Sequence, residues 1–220
     1  MIYLLITLIF SSISYQTNQN DYFEGKIIYE SFNRDEEGEL VPAEVLGRQE
    51  HFFRDNFYKF SMEVKGGMAN LSFREVIVNT KDSTRYSVDH FNKEYTSLGM
   101  EETSTAYLPM ELDLLHAQDT ILGYPCKKYK ILQLDYYTQT PSYSYLWVTE
   151  DLSIKSLPIL AKIFGYRNTL IRDGSLNGII LRYESENTIT SEALVVTATE
   201  VTPKQLDVSD FIVPSMYSMN

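Results

Sequence analysis

The chain has 220 residues, 44% of them apolar and 22% charged, which fits one all-β domain with a sizeable core. Acidic residues outnumber basic ones 30 to 19, for a net charge of −11. That argues against nucleic-acid binding by phosphate neutralisation and against attraction to anionic membrane surfaces. The single cysteine excludes an intramolecular disulfide framework and a cysteine-built zinc site.

Asp21 is the first charged side chain, and Ile2 to Phe10 is apolar apart from Thr7. Ser12-x-Ser14 follows as a small-x-small cleavage pattern, so residues 1–20 read as a signal peptide cut near 14–20. Residues 21–220 read as one domain. The apolar run is about half of what a membrane-spanning helix needs, so no transmembrane span is expected in the mature protein. These features predict an exported monomer in the periplasm or cell envelope.

Beyond the leader, short strands alternate with turn signals. Phe23 to Phe32 is strand-like, and Asn33-x-Asp35-x-Glu37-Gly38-x5-Glu44 follows. The latter is close to a calcium-loop pattern. A strand precedes it and Pro42 obstructs an exit helix, so a solvated acidic hairpin loop is expected. In Phe57 to Val64 the residues Tyr58, Phe60, Met62 and Val64 point one way, and Lys59, Ser61 and Glu63 the other. Asp55-Asn56 before it and Gly66-Gly67 after it are turn formers. Asn70-Leu71-Ser72 is a lone glycosylation sequon. Leu71 to Val78 and Thr84 to Asp89 follow as strands, with a turn at Lys81-Asp82-Ser83 between them.

Leu108 to Ala117 breaks the pattern. Pro109 where a first helical turn tolerates it, and early acids, predict a short helix. Tyr129 to Leu134 and Tyr143 to Val148 are strand-like. Leu157 to Phe164 reads as a two-turn helix between a Leu-Pro start and Gly165. Ile159, Leu160, Ile163 and Phe164 leave it almost no polar face, so it is expected to be buried or to cover something apolar. Ile179, Leu181 and Tyr183 alternate with Arg182, Glu184 and Glu186, and Leu194 to Val201 is the last clear strand. The fold class expected is mainly β. A curved antiparallel meander sheet forms a half-barrel, with one or two short helices as lid.

No arrangement of catalytic residues emerges. His51, His90 and His116 form no H-x-H or H-E-x-x-H pattern, so no metal site is expected. Cys126 has no base placed against it and is expected to be a small buried thiol. Glu184 and Glu186 lie about 6.5 Å apart on one strand face, near the spacing of an inverting glycosidase pair. Arg182 beside them favours a solvated charge stripe. No nucleophile elbow, phosphate loop or dinucleotide fingerprint occurs. The expectation is a protein that is not an enzyme and carries no cofactor.

The stretches Ile121-Leu-Gly-Tyr-Pro-Cys-Lys-Lys-Tyr129, Leu146-Trp-Val-Thr-Glu-Asp-Leu152 and Leu176-Asn-Gly-Ile-Ile-Leu181 resemble an exported Bacteroidota family named for a Gly-Leu-Pro-Gly-Leu-Ile signature. Leu176, Gly178 and Ile180 match that signature, whereas Ser175, Asn177 and Ile179 depart from it. A sister group of unknown-function proteins shares the Gly-Tyr-x-Cys-Lys-Lys-Tyr strand. These families are similar in layout to lipoprotein-carrier half-barrels of the LolA and LolB type. The resemblance implies an apolar cup and an acyl chain or lipoprotein as ligand.

The cup residues expected from the strand faces are Tyr58, Phe60, Met62, Tyr86, Val88, Ile179, Leu181 and Tyr183, with Ile159, Leu160, Ile163 and Phe164 as the lid. The acidic surface would then favour neutral or cationic head groups, or a lipoprotein with a basic flank, over anionic lipids. The alternative is a structural or protein-interaction module of the envelope whose same residues fill a dry core. A hydrolase is the third and weakest reading.

Overall fold

The computed structural model describes residues 22–35, 37–43, 46–64, 74–99, 107–135, 141–154, 178–186 and 193–220. The signal segment 1–20, the sequon at 70–72 and the expected helix at 157–164 lie outside them. The described residues are almost entirely strand. The first arm of the sheet is built from β1 (Gly25–Arg34), β2 (Leu40–Pro42), β3 (Leu46–Arg54), β4 (Phe57–Val64), β5 (Arg74–Asn79), β6 (Thr84–Asp89) and β7 (Glu94–Leu98). The second arm is β8 (Tyr107–Ile121), β9 (Tyr124–Asp135), β10 (Pro141–Thr149), β11 (Ile179–Glu186) and β12 (Ala193–Pro203). Among the described residues the 3-10 turn Val208–Phe211 and the two-residue β13 (Ser218–Met219) follow β12.

All the described strands belong to one sheet, ordered β13-β7-β6-β5-β4-β3-β1-β12-β11-β10-β9-β8, with β2 hydrogen-bonded beside β1. Every pairing is antiparallel except β13 with β7. The meander therefore runs as two arms that meet at β1 and β12, in the middle of the sheet. The strand order itself demands curvature. Ten inter-strand steps separate β7 from β8, about 48 Å in a flat sheet. The nine links from Leu98 to Tyr107 reach at most about 31 Å. The sheet is thus an open, curved one, as expected from the sequence.

Local chemistry fixes the hairpins. Leu122 and Gly123 both have positive φ, 53° and 86°, as the tight two-residue turn joining β8 to β9 requires. Asp55, Ser83 and Lys93 take the same left-handed conformation at the tips of the β3–β4, β5–β6 and β6–β7 hairpins. In the β1–β2 hairpin the Asp35 carboxylate accepts the Glu39 amide at 2.7 Å, so this acidic side chain is turned onto its own loop.

Two expectations are corrected. Leu108 to Ala117 is not a helix but the central part of β8, paired with β9. Leu108, Met110, Leu112 and Leu114 alternate with Pro109, Glu111 and Asp113, a period of two. Pro109 is tolerated because β8 is an edge strand. Glu184 is not part of a solvated stripe. It is 6% exposed and takes a two-pronged hydrogen bond from the Arg34 guanidinium, at 2.9 and 3.1 Å.

Candidate functional site

In the first arm the register from β3 to β7 is regular beyond Gln49, so the two faces can be assigned residue by residue. On one face Phe53, Tyr58, Val78 and Arg85 stand side by side, and His51, Phe60, Val76 and Ser87 form the next row. Ile27 on β1 lies opposite His51, and Met62 continues the face beyond Phe60. Phe53, Tyr58 and Val78 share one buried cluster with Ile27, Tyr29, Ala198, Leu181, Ile179, Trp147 and Cys126. Val78 on β5 and Cys126 on β9 are seven strands apart in the sheet. A common cluster joins them because the sheet wraps around it, so this is the inner face.

The opposite face carries the rows Phe52, Lys59, Ile77, Tyr86 and Ser61, Glu75, Val88, Tyr95. The chain's last segment covers it. Leu206 and Phe211, both 4% exposed, pack on Ile77 and Val88, each burial worth about 1.5–3 kcal/mol. Arg54 donates to the Leu206 carbonyl, and the Leu206 amide donates to Glu24 at 2.8 Å. Tyr86 and Val88 were expected in the cup beside Tyr58 and Phe60. They lie on the other side of the sheet, and this is a correction.

The structure therefore divides the expected cup residues. Tyr58, Ile179 and Leu181 are buried in the inner cluster, with Phe60 packed against it. Tyr183 belongs to a second cluster, with Tyr129, Ile131, Leu146 and Val148; Val196 touches both. Met62 is half-buried on the inner face. Ile159, Leu160, Ile163 and Phe164 lie outside the described residues.

Burial on the inner face is graded along the strands. Tyr58 is 3% exposed and Val78 0%, whereas Phe60, Met62 and Val76, one or two rows on, are half-buried. Phe53 is 5% exposed, and His51 and Gln49 on the same strand are half-buried. One end of the face is a packed floor, and the other presents aromatic and aliphatic surface.

His51 is the centre of this surface, and sequence reasoning treated it only as a failed metal ligand. Its ring centroid lies 4.8 Å from that of Tyr29 and 4.9 Å from that of Phe60, both edge-on. Tyr58 and Phe53 stand at 5.9 and 6.3 Å. The Tyr58 hydroxyl and His51 Nδ1 are 2.9 Å apart. Burial among these rings pushes the imidazole down to about 3, so it is neutral at physiological pH. The same burial raises the Tyr29 and Tyr58 phenols, which stay protonated. Around His51 the surface is aromatic and uncharged, with a few fixed polar atoms, suited to holding an apolar group rather than to proton transfer; Arg85 is the cation on the same face, at β6.

Two cavities are lined by described residues elsewhere. One, of about 390 Å³, lies on the outer face between Tyr86, Tyr95, Phe57 and the segment from Phe211 to Tyr217. The other, of about 250 Å³, adjoins Cys126 and is lined by Asp119, Lys127, Glu150 and Asp151. Cys126 is 2% exposed, and burial raises its thiol, the opposite of what a nucleophile needs. Among the described residues no group of His, Cys, Asp and Glu could hold a metal ion. Among them also, no helix is long and apolar enough to cross a membrane.

Among solved structures the chain is similar to a domain given as an outer membrane lipoprotein-sorting protein, from Vibrio parahaemolyticus. The two share 7% identity and a TM-score of 0.35, over 87% of this chain and 90% of that one. It is also similar to a DUF1329 family protein from Desulfovibrio piger, at 7% identity and a TM-score of 0.24, over 86% and 90%. Both likenesses are too loose to carry an argument about function. No curated protein matches the chain. The family model for a domain of unknown function, DUF4412, matches residues 39–217, from β2 through the covering segment but without β1, and the chain belongs to that family.

Proposed function

We propose that this protein is a non-catalytic binding module, exported to the periplasm or cell envelope, that holds an acyl chain of a lipid or lipoprotein against the inner face of its sheet. The observation that carries this reading is the gradient of burial, from the closed floor at Tyr58 and Val78 to the half-buried Phe60, Val76 and Met62. A chain laid on that surface gains about 0.8 kcal/mol per buried CH2, on the order of 11 kcal/mol gross for about 14 carbons. Lost translation and chain ordering offset much of that, which leaves roughly micromolar affinity. The resemblance of residues 121–129, 146–152 and 176–181 to exported Bacteroidota families supports the same compartment. So does the apolar leader.

A second reading is favoured by the floor itself. Fourteen of the described residues form the buried inner cluster, and if it continues to the rim the protein is an envelope scaffold without a small ligand. Organic extraction of purified protein followed by mass spectrometry, with a fluorescent fatty-acid titration, separates the two. A co-purifying lipid and a saturable titration are expected. Their joint absence, with a concave face filled by its own side chains, overturns the acyl-chain reading in favour of the scaffold.

A further inference from the structure

On the inner face of the first arm, polarity changes in one direction across the strands. Phe53, Tyr58 and Val78 are followed, on β6, by Arg85. In the next row His51, Phe60 and Val76 are followed by Ser87. Arg85 is anomalous. Its Nε is buried and has no hydrogen-bond partner, and among the described residues no carboxylate pairs with it. This occurs in a chain with 30 acidic residues, where other arginines do find partners: Arg34 with Glu184, Arg54 with Glu24, Arg182 with Asp119. Desolvation lowers the guanidinium's affinity for its proton, though not enough to discharge an arginine. An unsatisfied buried donor on a cation is costly to keep. A bound oxyanion would satisfy it, because a guanidinium fork matches a carboxylate or phosphate.

We infer that Arg85 is the head-group anchor of the inner site, and that its ligand is an amphiphile with an anionic oxyanion head and an apolar chain. The head sits at Arg85 with the Ser87 hydroxyl beside it, and the chain runs toward the middle of the sheet over Val76, Phe60 and Met62. This rests on the acyl-chain reading above and adds the sign of the head group. It reverses the expectation, drawn from net charge, of a neutral or cationic head. Net charge acts through screened solvent over about a Debye length, whereas Arg85 acts at contact on a partly desolvated face.

The test compares the intact mature protein with its Arg85→Gln and Arg85→Lys variants, by calorimetric titration with oleic acid, methyl oleate and inorganic phosphate. Circular dichroism first confirms that each variant folds. Wild type is expected to bind oleic acid about tenfold or more tightly than methyl oleate, in the range of a charge-assisted hydrogen bond. Arg85→Gln should abolish that preference and leave methyl oleate binding within about twofold. Arg85→Lys should keep part of it, since a point charge lacks the fork. Equal wild-type affinity for acid and ester overturns the head-group assignment and leaves the acyl-chain reading standing. Binding of inorganic phosphate as tight as that of oleic acid overturns it in favour of a small-anion site. Failure of acid, ester and phosphate alike overturns the acyl-chain reading and this inference with it.

Discussion

The Tyr29 hydroxyl, on the central strand β1, donates to the backbone carbonyl of Ile180 on β11, 2.9 Å away. Between them in the sheet lies β12, so the phenol spans one strand and ties the two arms together on the buried side. Tyr29→Phe keeps the ring and removes this donor. A loss of about 1–2 kcal/mol is expected, read as a lower denaturation midpoint with an unchanged m-value. No change in midpoint would mean that water replaces the bond.

His51 gives the fold a pH dependence of definite sign. Its folded value of about 3 lies below the ordinary 6.5, so below about pH 6.5 the unfolded chain binds a proton that the folded one refuses. Stability therefore falls as pH drops from about 6.5 towards 3, by at most about 1.4 kcal/mol per pH unit from this group. Above pH 6.5 the group contributes no slope. Subtracting the urea-midpoint profile of His51→Gln from that of the wild type should isolate this slope, because the carboxylates are common to both. A difference that stays flat from pH 7 to 4 would refute it.

The Arg34–Glu184 pair is half inside the protein, the carboxylate at 8% side-chain exposure and the guanidinium at 38%. Glu184→Gln is expected to lose about 1–3 kcal/mol, less than a fully buried pair because Arg34 remains solvated. Glu184→Lys puts like charges together at a buried position and should unfold the domain or lower its melting temperature strongly. A double-mutant cycle with Arg34→Gln measures the coupling, and a value near zero would count against the geometry.

The assignment of the two faces has its own check. Met62→Asp, at the half-buried rim of the inner face, should weaken fluorescent fatty-acid binding about tenfold or more while circular dichroism stays native. Val88 is 0% exposed and packed with Phe211, so Val88→Asp buries an unpaired charge and should unfold the protein whether or not lipid is present. The face assignment is wrong if Val88→Asp stays folded and loses only binding.

Cys126, 2% exposed with its thiol held high by burial, should resist alkylation by a bulky maleimide at pH 7.5 and react promptly in denaturant. Cys126→Ser should cost about 1–3 kcal/mol. Fast labelling of the folded protein would contradict the burial.

Much of the architecture was legible. The alternation in Phe57 to Val64 and Thr84 to Asp89 marked β4 and β6 to the residue, and the turn residues at 55–56 and 81–83 marked their hairpins. What alternation cannot say is which face is inside. On β6 both sets are plausible, Tyr86 and Val88 being the more apolar. The outer face is apolar because Leu206 and Phe211 return from 120 residues later to cover it. A local pattern holds no trace of that contact. Arg85 was passed over for the same reason, since it alternates with Tyr86 and Val88, which were the residues placed in the cup.

β8 was misread because Pro109 and the early acids outweighed a four-residue alternation. His51 was missed because β3, with Gly47, Arg48, Gln49 and Glu50, lacks a clean period. Glu184 looked solvated because its partner, Arg34, sits 150 positions away.

The place of β1 in the middle of the sheet governs when the molecule can become whole. Gly25–Arg34 is made early and Ala193–Pro203 late, yet these two strands pair along their full length. The arms β3 to β7 and β8 to β11 can assemble hairpin by hairpin from near neighbours. The seam between them closes only once Ala193–Pro203 is available to Gly25–Arg34, a contact of long sequence separation and so slow to form. Until then β1 carries an unpaired edge. If the chain is exported as proposed, with its first residues leading, that edge stays open until Ala193–Pro203 has crossed, and the inner site does not exist until it shuts.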